Sequence, residues 1–108
     1  MSRVLLLAIL LLASCGEKPP VWYPSKVRAP GRFNPTVDRV AKMPAGCDVR
    51  AWGCYIPEDV KSATPGRIFI LRGLHIDDDA CVYEHEMKHW RGLDHDPGLA
   101  DCGDGAHT

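Results

Sequence analysis

What the chain has little of narrows its class before any motif is read. Its longest apolar run, Val4 to Ala13, is ten residues, about half of what a helix needs to cross a bilayer. Aromatic residues make up only 7% of the chain, and the basic residues are neither clustered nor interleaved with them, which argues against nucleic-acid binding. No two cysteines form a CxxC pair, the spacing typical of structural zinc ribbons, so a cysteine metal site is the weaker reading of them. No segment repeats at a fixed period.

The amino end has the layout of an export signal. Met1, Ser2 and Arg3 precede the apolar run, and small residues close it. The tetrad Leu12, Ala13, Ser14, Cys15 resembles a bacterial lipobox. That resemblance implies acylation of Cys15 as the first mature residue and attachment to the membrane of the cell envelope. Gly16 resembles the second residue of lipoproteins sorted to the outer membrane, facing the periplasm, if the source is Gram-negative. Residues 1–14 are then a signal peptide and 15–35 a tether with prolines at 19, 20, 24, 30 and 35. Residues 36–108 are the folded domain. Trp22, Tyr23 and Phe33 are the tether's large anchors, and the sequence leaves open whether they pack on the domain or meet the membrane.

Without residues 1–14 the chain has 108 − 14 = 94 residues, enough for one small domain with a marginal core. Cys47, Cys54, Cys81 and Cys102 remain, an even number in an exported chain, so two disulfides are expected in one of three connectivities. Cys47 with Cys54 and Cys81 with Cys102 is the favoured pairing. Charge is uneven: residues 16–72 hold ten Lys or Arg against five Asp or Glu (+5), and residues 73–108 two against nine (−7). An acidic half complements a dication.

The densest chemistry is His85 to His95, HEMKHWRGLDH, which fits the spacing HExxHxxGxxH. The odds of this arising by composition somewhere in such a chain are on the order of 10⁻⁵. On a helix, His85 and His89 differ by ~40° in azimuth and one turn in height, so both imidazoles reach one metal. Glu86 is ~100° round from His85, placed to hold a water on that metal. Gly92 can take the left-handed conformation that ends a helix, and three further residues return His95 to the same ion. Three histidines leave a fourth position open, the arrangement of catalytic zinc. Asp94 and Asp96 are alternative third ligands.

At these residues the chain resembles the metzincin metallopeptidases, whose signature is HExxHxxGxxH followed by a methionine turn. The resemblance implies Zn²⁺ held by His85, His89 and His95, Glu86 as general base, Gly92 as the turning residue, and a peptide or protein substrate. Asp96 resembles the residue that follows the third histidine in the adamalysin branch. Residues 96–108 contain no methionine, so the resemblance is to a minimal form without that turn. In the family a strand beside the cleft pairs with substrate backbone. Ile68 to Leu71 is the candidate by position, with a central core strand as the equal alternative.

The expected fold is α+β, a small sheet of two or three strands packed on one active-site helix and stapled by disulfides. Thr36 to Met43 carries Val37, Val40 and Ala41 at helical spacing and predicts a short helix closed by Pro44. Cys47 to Ile56 and Arg67 to Arg72 predict strands. A helix follows from near Asp79 to Arg91, with Asp77, Asp78 and Asp79 at its positive end. Its stripe Ala80, Tyr83, Met87, Trp90 is expected to face the sheet, leaving the histidines opposite and Glu86 at the boundary. His75, Tyr55 and Tyr83 are lesser candidates for groups that assist the metal. The sequence thus predicts an enzyme, a zinc metalloendopeptidase at the envelope. The competing reading is a non-catalytic zinc-binding or interaction lipoprotein.

Overall fold

The computed structural model of the chain describes residues 21–97, 99 and 101–104. Cys15 and residues 1–14, the expected signal peptide, lie outside the described residues. Among the described residues, six strands and one helix follow in the order β1 (Trp22–Pro24), β2 (Thr36–Val40), β3 (Gly53–Ile56), β4 (Arg67–Leu71), α1 (Ile76–Trp90), β5 (Leu93–His95) and β6 (Asp101–Asp104). The architecture is a small α+β fold with a three-stranded sheet, order β2-β4-β3, and a two-stranded one, β1-β5.

β4 is the centre of the larger sheet. It pairs parallel with β2 and antiparallel with β3, so both of its edges are used and a substrate strand cannot add to it. Its apolar run Arg67–Leu71 has the composition of a strand buried on two faces. Successive side chains alternate between them: Ile68 and Ile70 pack with Val82 and Cys102, while Phe69 packs with Met43 and Cys54 on the other side. The first cluster lies under α1 and the second under the β2–β3 connection. Each holds part of a disulfide, Cys81–Cys102 in the first and Cys47–Cys54 in the second. Both are the pairings favoured from sequence.

Thr36–Val40 is a strand, not the expected helix. Its β-branched Thr36, Val37 and Val40 suit a pleated surface, and the ladder to β4 satisfies its backbone. The helix begins at Ile76, three residues earlier than expected, because His75 caps it: the His75 Nδ1 accepts from the Asp77 N–H at 3.3 Å. Asp77, Asp78 and Asp79 fill its first turn, where carboxylates suit the helix dipole. Arg39 on β2 ties this end to the sheet through Asp79, at 2.8 Å.

The helix also presents a different face to the sheet. Val82, His85, Glu86 and His89 are its buried residues; Ala80 is exposed, and Tyr83 and Met87 pack at the cluster's margin. Gly53 permits this approach, since a Cβ there would lie 2.4 Å from Val82 Cγ1 and 3.0 Å from Glu86 Oε1.

The expected tether is part of the folded body from Trp22 on. Trp22–Pro24 pairs with Leu93–His95. The Ser25 and Gly31 N–H groups then donate to the carbonyls of Gly92 and Trp90, both at 2.7 Å, and Trp90 Nε1 donates to the Phe33 carbonyl at 2.9 Å. Residues 21–33 therefore form a strap over the C-terminal end of α1, where orphan carbonyls need donors.

Candidate metal centre

α1 supplies His85 and His89 one turn apart. Gly92, at φ +85°, ends the helix, and a Cβ there would meet Pro30 N at 2.9 Å. The left-handed turn and the strap thus both require glycine at this position. The chain reverses into β5, and the β1 ladder holds His95 beside the helical pair. The three imidazoles come together: their ligand atoms all lie within 4.8 Å of one another, and ring centroids are 5.1, 4.8 and 5.1 Å apart. His85 and His89 are buried, and His95 is half-buried.

The outer nitrogens settle the tautomers. His85 Nδ1 lies 2.8 Å from the Asp101 carboxylate, His89 Nδ1 3.0 Å from the Leu93 carbonyl, and His95 Nδ1 2.9 Å from the Asp96 carbonyl. Each of these oxygens accepts, so each Nδ1 carries a proton, and Nε2 is the nitrogen turned to the centre and able to ligate a metal. Yet the Nε2 atoms of His85 and His95 face each other at 3.2 Å. Two lone pairs at that distance repel unless a cation lies between them. Tetrahedral zinc with nitrogens at ~2.0–2.1 Å sets its ligands ~3.3 Å apart, which the His85–His95 pair matches. The triad can hold a metal ion.

Asp94 and Asp96 are otherwise engaged. Asp94 takes the Arg28 guanidinium at 2.7 Å. Burial pushes its carboxyl up, but hydrogen bonds from Ser25 and Arg28 outweigh this and hold it below the usual range. Arg28 also donates to the carbonyls of His89 and Leu93, bracing the turn between the second and third histidines. Asp96 accepts from the Tyr23 hydroxyl at 3.4 Å.

Glu86 is fully buried, with its carboxylate against Gly53. Tyr55 shares a cleft with the triad: about 240 Å³, it is lined by Arg28, Tyr55, His89 and Asp94. It adjoins a larger one of about 410 Å³ that shares Arg28 and Tyr55. Burial pushes the Tyr55 phenol up. Tyr83 packs against the core, and His75 is the helix cap.

Two residues at the centre have no counterpart in the motif. Asp101 reaches His85 because Cys102 is tied to Cys81, one turn before His85 on α1. Trp22 makes T-shaped contacts with all three imidazoles, with centroids 4.9, 5.3 and 4.6 Å away. The cysteine pairing was the signal available for Asp101. Trp22 had none, since its register with His95 spans most of the chain. No protein-family description, curated protein or solved structure matches the chain.

Proposed function

We propose that the chain is a minimal, metzincin-like zinc metalloendopeptidase, carried at the bacterial cell envelope by a lipid on Cys15. One observation carries the reading: three histidines with every Nδ1 turned to an oxygen and their Nε2 atoms converging, two of them 3.2 Å apart. His85, His89 and His95 hold the ion. When bound, zinc lowers the pKa of a water toward ~7 and polarises a carbonyl. Glu86, next to His85, accepts the proton of the attacking water on its carboxylate and returns it to the leaving amine. The Asp101 carboxylate and two carbonyls keep the imidazoles in the ligating tautomer. The cleft running from His89 past Arg28 and Tyr55 is the path for substrate. Its outer rim carries Val27 and Val60, 89% and 50% exposed, apolar surface suited to a peptide chain.

The test is peptide hydrolysis by the oxidised protein with zinc. Glu86→Gln lowers kcat by ~10² or more, the worth of a positioned base, while zinc stays bound at one per chain. Activity that survives this substitution removes the base role. Complete burial of Glu86 favours a second reading, a non-catalytic zinc-binding or interaction lipoprotein. That reading predicts one zinc per chain and no cleavage of any offered peptide.

A further inference from the structure

Trp22 holds the fourth corner of the histidine site. The imidazole centroids are 5.1, 4.8 and 5.1 Å apart and the indole centroid is 4.9, 5.3 and 4.6 Å from them, so the four rings make a nearly regular tetrahedron. The centre of such a figure is ~3 Å from every corner, which is also the distance from a zinc ion to the middle of an imidazole whose nitrogen binds it at ~2.0–2.1 Å. A fourth ligand on the remaining axis, at ~2 Å from the ion, would end about 1 Å from the indole centroid, inside the ring. The docked indole and a metal-bound water therefore exclude each other.

The strand that carries the ring is weakly tied. β1 has three residues, pairs with β5 in a two-stranded sheet, and includes Pro24, which has no N–H to give the ladder. The Tyr23 hydroxyl reaches Asp96 at 3.4 Å, long for an O–H donor. From Ser25 on the chain is fastened to the end of α1, through the Ser25 N–H to Gly92 at 2.7 Å and the Arg28 guanidinium to the His89 and Leu93 carbonyls. β1 can therefore leave while those contacts stay. The indole Nε1 is shut off from solvent and has no acceptor among the described residues, a penalty of the docked state alone, because water satisfies an exposed N–H. Against it stand the T-shaped ring contacts and the Lys88 ammonium, 4.9 Å over the indole.

We propose that β1 is a removable plug: Trp22 closes the fourth position of the metal while the strand is docked, and the ion gains its water, and then substrate, only as β1 swings out about Pro24. This rests on the metal reading above and adds a residue outside the HExxHxxGxxH stretch. Zinc in a three-histidine site takes a fourth ligand, so it favours the open form, and by reciprocity a docked β1 weakens zinc. The apparent dissociation constant is the intrinsic one divided by the open fraction. Removing Trp22 therefore tightens metal binding, whereas removing a ring that only packed the histidines in place would loosen it.

The test uses the full oxidised chain. With the open form at ~10% or less, Trp22→Ala is expected to bind zinc ~10-fold tighter or more than the parent in chelator competition. In the parent labelled with ¹⁵N-tryptophan, three indole signals are expected, from Trp22, Trp52 and Trp90; Trp22→Ala identifies the first by its disappearance. One equivalent of zinc is expected to speed the exchange of the Trp22 N–H with water ~10-fold or more and to leave the other two as they were. Zinc affinity equal or weaker in Trp22→Ala, or a Trp22 exchange rate that zinc does not raise, overturns the plug and leaves the metal centre standing. Zinc binding by neither protein overturns both. If Trp22→Ala does not fold, the exchange measurement on the parent decides alone, with the Trp22 signal assigned by its contacts to the histidine rings.

Discussion

Replacing Asp101 with alanine removes the carboxylate that accepts from His85 Nδ1. His89 and His95 point Nδ1 at backbone carbonyls, which no substitution deletes. His85 points its own at the Asp101 carboxylate, 2.8 Å away, with the two side chains 0% and 13% exposed. A hydrogen bond to a charged group in so dry a place is worth ~1.5–3 kcal/mol, a factor of ~10–150 in affinity. The same range is known for carboxylates that orient ligating histidines. Asp101→Ala is therefore predicted to weaken zinc binding ~10–100-fold, and Asp101→Asn, which keeps a neutral acceptor, less. The assay is competition against a fluorescent chelator on oxidised protein, with thermal unfolding of the metal-free forms as the check on folding. A folded Asp101→Ala protein that binds zinc as tightly as its parent would refute the tautomer argument.

The two disulfides are predicted to differ in what they protect. Their separations of 7 and 21 residues give loop-closure contributions of ~2 and ~3 kcal/mol. Replacing Cys47 and Cys54 by serine lowers the unfolding temperature and leaves zinc affinity near that of the parent. Replacing Cys81 and Cys102 lowers both, because Asp101 loses its anchor to α1; chelator competition read beside calorimetry separates the two. At the other end of the helix, the Arg39 hydrogen bond holds the Asp79 carboxyl below its ordinary range. A depressed carboxyl stabilises above its unfolded pKa and ceases to do so as pH falls through the folded one. Asp79→Asn should therefore cost stability at pH 7 and progressively less below about pH 4, by under ~1 kcal/mol since the pair is exposed. Equal costs at pH 7 and pH 3 would contradict this.

The parts legible in the sequence were those set by local spacing. The i, i+4 histidines, the glycine that turns the chain and the apolar run of β4 each declare themselves within a few residues. The cysteine pairs are those favoured from sequence. Elsewhere the deciding contacts were distant. In Thr36–Val40 the pair Val37 and Val40 fits a helical period as well as a strand's loose alternation, and only the ladder to β4 chooses. The buried face of α1 was misread because apolar periodicity marks Ala80, Tyr83, Met87 and Trp90. The helix instead buries polar residues, His85, Glu86 and His89, which hydropathy counts against burial. The strap was misread because its prolines look like a spacer, whereas its backbone N–H groups supply the carbonyls at the end of α1.

X-ray absorption at the zinc edge, on oxidised protein carrying one equivalent of zinc, addresses the centre itself. Three imidazole nitrogens at ~2.0–2.1 Å with a further light atom are predicted, and His85→Ala, His89→Ala or His95→Ala should each remove one imidazole. A chain that does not retain zinc, or a spectrum carrying a sulfur shell at ~2.3 Å, would contradict the account.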